Sequence, residues 1–268
     1  MKLKMLLSTA VATAAIATAF PASAIPVFPV FTVSPGAGET GSLTTFKAND
    51  LGGQYNEVIT FTSTTLFNVS LYFQGGQFNL DDTTAPASYN AGQTGLGSNY
   101  GLYATLLGSG NYSTSGSGVT TFNLTSGNLS VVLDKNNDTS FAPPPNGSTP
   151  YILANTIDDI LLGVGTNTTG TGTSLGTTCS NNNCGSFGQT THLALTAAGS
   201  SFFPAPSPFY NLALTSGQFQ GINPVVGANV TSFGTANTVF AVPEPSPLAL
   251  LGLGLVALGF SRRRSTKV

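Results

Sequence analysis

The sequence predicts an all-β protein: a single sandwich or jelly-roll-like domain between an N-terminal signal helix and a C-terminal transmembrane helix. Three observations lead there. Only 7% of residues are charged, while Gly, Ser, Thr and Asn abound and 18 Phe and 8 Tyr are present. Solubility must then come from hydroxyls and amides, and the aromatic and aliphatic residues suffice for a core. Second, Phe67, Val69, Leu71 and Phe73 alternate with Asn68, Ser70 and Tyr72, the period of a strand with one buried face. Third, many short apolar segments are separated by Gly, Pro and Asn, the punctuation of sandwiches and jelly rolls. No repeat of fixed period stands out, which argues against a solenoid.

Taken in order, Lys2 and Lys4 precede an apolar run from Leu6 to Ala19, and Ala22-Ser23-Ala24 forms an A-x-A cleavage site. Residues 1–24 therefore read as a secretory signal peptide cut after Ala24, with Ala22 and Ala24 as the small residues the peptidase requires. Export implies the Sec translocon as a partner. Residues 25–241 form the extracellular domain. Its expected strands are an edge strand within Ile25–Gly38, then Glu57–Thr62, Phe67–Phe73 turned by Gly75-Gly76, and Leu102–Leu107. After a turn at Gly108–Gly118, Val119–Leu124 and Leu129–Leu133 read as a hairpin joined through Ser126-Gly127. Asp81–Asn99 and Phe141–Pro150 read as loops. Tyr151–Val164 fits either a strand pair or a short helix around Ile157–Leu162. Gly163–Gly188 reads as a mobile Gly/Thr/Asn-rich insertion, and His192–Thr196, Tyr210–Leu214 and Thr238–Val242 complete the strand set.

Residues 242–268 have a different composition. Pro243, Pro245 and Pro247 fix φ and remove three backbone donors, so this spacer stays extended. Leu248–Phe260 is apolar and uncharged, fit for a helix in lipid but shorter than the ~20 residues of a stable span. Arg262, Arg263 and Arg264 hold its end on the cytoplasmic side. Gly252-Leu253-Gly254-Leu255-Val256-Ala257 fits a dinucleotide fingerprint, but it lies in the apolar helix rather than after a strand, so the match is accidental.

This three-part tail, with Pro243-Glu244-Pro245 at its head, resembles the PEP-CTERM sorting signal of Gram-negative bacteria. The resemblance implies processing near Pro243, Glu244 and Pro245 by exosortase, a membrane cysteine transpeptidase. It also implies transient inner-membrane anchoring and delivery to the cell surface or extracellular matrix. In the body, Gly53–Phe61 (GQYNEVITF), Tyr100–Ala104 (YGLYA), Leu195–Phe203 (LTAAGSSFF) and Pro208-Phe209-Tyr210 resemble the flocculation-associated branch of these proteins. That branch implies cell–cell adhesion, flocculation or biofilm formation with exopolysaccharide.

Between the two terminal devices, Lys47 and Lys135 stand against nine carboxylates, a net charge of −7. A basic patch for nucleic acid or anionic lipid is therefore missing. No enzyme is expected and no cofactor, with calcium the one candidate ion. Asp134, Asn136 and Asp138 place oxygen ligands at alternate positions, and Asp158 or Asp159 could complete a calcium site. The bland alternative is an Asx-rich turn bonded to its own backbone. A calcium-dependent lectin is the first rival function. The second is a secreted hydrolase, since Gly172-Thr173-Ser174-Leu175-Gly176 fits a nucleophile elbow and His192 is the sole His; flanking Thr and Gly and the lack of a following helix speak against it. Cys179 and Cys184, the only cysteines, are expected to close a local disulfide outside the cytoplasm. The chain lacks Trp, a common sugar platform; Tyr55, Tyr72, Tyr100, Tyr103, Tyr112 and Tyr151 could substitute for it.

Overall fold

The alternation of Phe67–Phe73 extends far beyond that segment in both directions, and it organises the whole domain. The structure is a computed structural model that describes residues 28–38, 43–81, 87–176, 179 and 184–241. The signal peptide with Ala22 and Ala24 lies outside the described residues. So does the C-terminal segment with Pro243, Glu244, Pro245, the apolar helix and Arg262–Arg264.

The domain is all-β, as expected, and its walls belong to one closed sheet. Its strands are β3 (Asp50–Phe61), β4 (Leu66–Leu80), β6 (Gly101–Thr114), β7 (Thr120–Asp134), β10 (Ile160–Ser174), β11 (Gly185–Leu195), β12 (Leu212–Phe219) and β13 (Asn229–Ala241). Their spatial order is β3-β13-β12-β11-β10-β7-β6-β4, and β4 pairs back onto β3 to close the ring. Every pairing around it is antiparallel. The two faces of a sandwich thus become opposite walls of an eight-stranded barrel, a size whose interior side chains can just fill. Closure also leaves few free edges to pair with another chain.

Short elements decorate the barrel. β1 (Phe31–Val33) and β2 (Phe46–Ala48) pair separately, and β5 (Ala87–Ser88) extends the sheet beside β4. β8 (Ser140–Ala142) and β9 (Ile152–Ala154) pair outside the barrel. Among the described residues the α-helices, α1 (Ala91–Thr94) and α2 (Ala197–Phe202), are both short, and Pro35–Gly38 forms a 3-10 turn.

Alternate residues point inward. Tyr55, Ile59 and Phe61 of β3 meet Phe67, Val69, Leu71 and Phe73 of β4 in one buried cluster with Leu106, Phe122 and Leu193. Each large apolar side chain so buried stabilises the fold by about 1.5–3 kcal/mol. The N-terminal segment closes one end. Phe31 is fully buried and packs edge-on against Phe78, Phe203, Phe209 and Phe240, with ring centroids 5.1–6.4 Å apart. Its neighbours Thr32 and Ser34 donate their N–H groups to Ala205 O and Phe202 O.

Several expected breaks are continuous strand. Gly75-Gly76 lies within β4, Gly108–Thr114 within β6, and Ser126-Gly127 within β7. The reason is space rather than turning. A Cβ at Gly127 would lie 2.9 Å from Leu106 Cδ1 and 3.2 Å from Thr168 Cβ, and one at Gly110 would lie 2.0 Å from Asn123 O. These glycines admit neighbouring chains where the sheet curls and the register shifts, as it does between Ser109 and Gly110. The expected insertion 163–188 is corrected in the same way: Gly163–Ser174 completes β10 and Gly185–Gly188 opens β11. Its many threonines are β-branched strand formers. Tyr151–Val164 contains β9 and the start of β10, with no helix.

Many outward positions are polar, among them the exposed Thr171, Thr173, Ser186, Ser216, Thr235 and Asn237, although Leu66, Leu161, Val164 and Phe233 are exposed too. With its apolar residues inside, the barrel has the reverse polarity of one that faces lipid. Among the described residues no helix is long and apolar enough to cross a membrane.

Candidate functional site

Three places on the barrel hold chemistry. The first is the loop leaving β7. Asp134 ends that strand opposite Gly101. The bare glycine leaves room, since a Cβ there would lie 2.8 Å from Asn137 Oδ1 and 3.3 Å from Asp134 Oδ2. Asp134 is buried and accepts from two backbone N–H groups of its own loop, Asp138 at 3.3 Å and Thr139 at 2.9 Å. Asn137 takes φ 55°, a left-handed conformation that Asn tolerates. The chain then returns through the β8–β9 pair and brings Asp158 to the same spot. One carboxylate oxygen each from Asp134, Asp138 and Asp158 lies within 4.8 Å of the others. Asn136 joins through its backbone, donating N–H to Asp158 Oδ2 at 2.9 Å. Asp158 Oδ1 is buried without a hydrogen-bond partner.

Asp159 stands beside this cluster. It accepts from Tyr103 Oη at 2.5 Å and Thr139 Oγ1 at 3.0 Å. Burial holds its carboxyl above the usual range; the two hydroxyls partly offset this, and the charges of Asp134 and Asp158 add to it. An aromatic shelf braces the return segment: Phe141 stacks on Tyr72 at 4.4 Å and meets Tyr103 edge-on at 5.1 Å, while Tyr151 donates to Asn56 Oδ1 at 3.0 Å. This use of rings corrects the expectation of sugar platforms. Tyr55, Tyr100, Tyr103, Tyr112 and Tyr151 are buried, and Tyr72 is half-buried against Phe141. Rings that stabilise the core leave no open face for a sugar.

The second place is inside the barrel, and sequence reading gave its key residue no role. Glu57 is 4% exposed, and its Oε1 has no hydrogen-bond partner. Burial raises its carboxyl to about 8, and the adjacent Ser232 hydroxyl only partly offsets this. The signal was present in the chain: Glu57 stands in phase with Ile59 and Phe61, which face the core.

The third is a trough of about 680 Å³ on the outer wall of β7 and β10–β13. Two cross-strand rows line it. Thr121, Thr173, Ser186 and Gln218 form one; Thr171, Gly188, Ser216 and Asn237 form the other. No charged side chain lines it.

The remaining candidates are structural. Ser174 is fully buried and its Oγ donates to Gln220 O at 3.1 Å while accepting from Ile222 N–H at 2.9 Å. It sits in a strand rather than an elbow, and His192 lies on the outer face of β11. Cys179 and Cys184 are joined by a disulfide between β10 and β11.

No curated protein and no solved structure matches this chain. Residues 241–264 match the family model of the PEP-CTERM protein-sorting motif. The barrel is thus followed by an address that exosortase reads, and the chain is an exported protein carrying a PEP-CTERM sorting signal.

Proposed function

We propose that this is a non-enzymatic surface or matrix protein that promotes cell–cell adhesion, flocculation or biofilm formation through exopolysaccharide. It leaves the cytoplasm by the Sec translocon and is released or re-attached by exosortase. The observation that carries the reading is the outer trough. Its lining is uncharged and rich in hydroxyls and amides, which suits a neutral glycan rather than nucleic acid or lipid. Strands lie about 4.8 Å apart, so each row repeats hydrogen-bonding groups along a line that an extended glycan can follow. Single contacts of this kind are weak, and many displayed copies convert them into avidity.

Gly188 offers the test. A Cβ there meets nothing within 4 Å, so Gly188→Val fills the trough while sparing the fold. Co-sedimentation with polysaccharide extracted from the producing cells should weaken at least severalfold. Unchanged sedimentation, or normal flocculation by a deletion strain, contradicts the reading.

A calcium-dependent lectin is favoured by a separate observation, the convergence of Asp134, Asp138 and Asp158 with Asp158 Oδ1 buried and unpartnered. Calcium takes six to eight oxygens, of which these carboxylates supply at least three. Calorimetry with calcium chloride should show one site that Asp158→Asn removes. A flat titration eliminates this mode and leaves the cluster as a loop brace.

A further inference from the structure

The barrel interior holds two adjoining cavities of about 60 and about 50 Å³, which share Leu71, Phe187 and Gln189 as walls. Even together, at about 110 Å³, they are smaller than the ~150 Å³ cavity that accommodates a benzene ring in an apolar protein interior, so a ring there requires the shared side chains to yield. Most of their lining is aliphatic or aromatic. Glu57 is the only ionisable carboxyl facing the smaller one, and its Oε1 has no partner there. Ser232, paired with Glu57 across β3 and β13, is fully buried, and its Oγ stands near the Glu57 carboxyl without completing a hydrogen bond. A buried polar group without a partner carries a desolvation penalty that a native fold ordinarily relieves.

We propose that the interior is a binding site for a small apolar molecule of one aromatic ring bearing a single hydroxyl, held by Glu57. The ring would occupy the space between Leu71 and Phe187, and the hydroxyl would bond Glu57 Oε1. A hydroxyl suits the carboxyl better than an ammonium. Burial keeps Glu57 largely neutral at pH 7, and a hydroxyl can both donate to and accept from a neutral acid. The site shares the wall Thr171–Gly172 and Phe187–Gly188 with the outer trough but is read through Glu57, which the trough does not include, so loss of the Glu57-dependent preference would leave the polysaccharide reading untouched.

The test titrates the purified full chain with phenol, and with benzene as a probe of similar shape lacking the hydroxyl. Phenol should bind about tenfold more tightly, as one satisfied hydrogen bond in a buried site provides. Nuclear Overhauser contacts should run from phenol to Phe187 and Leu71. In Glu57→Leu the preference for phenol should vanish while benzene still binds. Equal affinity for the two probes, contacts only at the outer surface, or no binding of either overturns the proposal. So does a Glu57→Leu chain that keeps the preference. The wild-type comparison decides the matter even if that variant does not fold.

Discussion

Glu57 shows how much one residue can reveal about an interior. Its folded pKa of about 8 lies above its ordinary value of 4.5, so the native state holds a proton that the unfolded chain releases. Stability from this group is complete below pH 4.5 and is lost as pH rises toward 8. The loss by pH 7 is on the order of 3 kcal/mol. Asp50 and Asp159 are raised too, chiefly by burial, and act with the same sign. Thermal unfolding between pH 5 and 8 should therefore show a falling midpoint in the parent chain. Glu57→Gln should flatten much of that fall; an unchanged slope would mean the carboxyl is solvated. The acidic loop was half-legible. Asp134 and Asp138 announce themselves by spacing and Asp158 or Asp159 could be named beside them, but that Asp158 is the one to arrive depends on the β8–β9 excursion returning to the end of β7.

Among elements, strand existence was easier to read than strand length. Alternation marks Phe67–Phe73 and Leu102–Leu107 correctly, yet both strands run well past those limits. Local reading treats glycine as a turn, whereas a strongly curled sheet uses it to let backbones approach. That need is set by neighbours distant in sequence, so a local pattern does not contain it. Gly199 of α2 extends the point. A Cβ there would lie 1.8 Å from Leu162 O on β10. Gly199→Ala should cost about 3 kcal/mol by overpacking, measurable by urea denaturation. Gly188→Ala, in open space, should change stability by less than ~0.5 kcal/mol. The disulfide tip is a milder case. Its six-residue loop restricts the unfolded chain little, so replacing Cys179 and Cys184 by Ser should cost no more than about 2 kcal/mol in the same assay.

At the scale of the whole molecule, charge and polarity agree. A barrel with apolar contents presents mainly hydroxyls and amides on its outer wall, as a chain with so few charged residues must. The closed ring was not foreseeable from strand patterns alone, because a sandwich and a barrel share the same alternation and differ only in whether β3 and β4 meet. The PEP-CTERM motif at 241–264 explains how such a domain reaches the outside. The most direct measurement is mass spectrometry of the C-terminus of the exported chain. The account predicts a terminal peptide ending near Pro243-Glu244-Pro245, with nothing beyond it in the surface or matrix fraction. A chain intact through Val268 and retained in the inner membrane would contradict it.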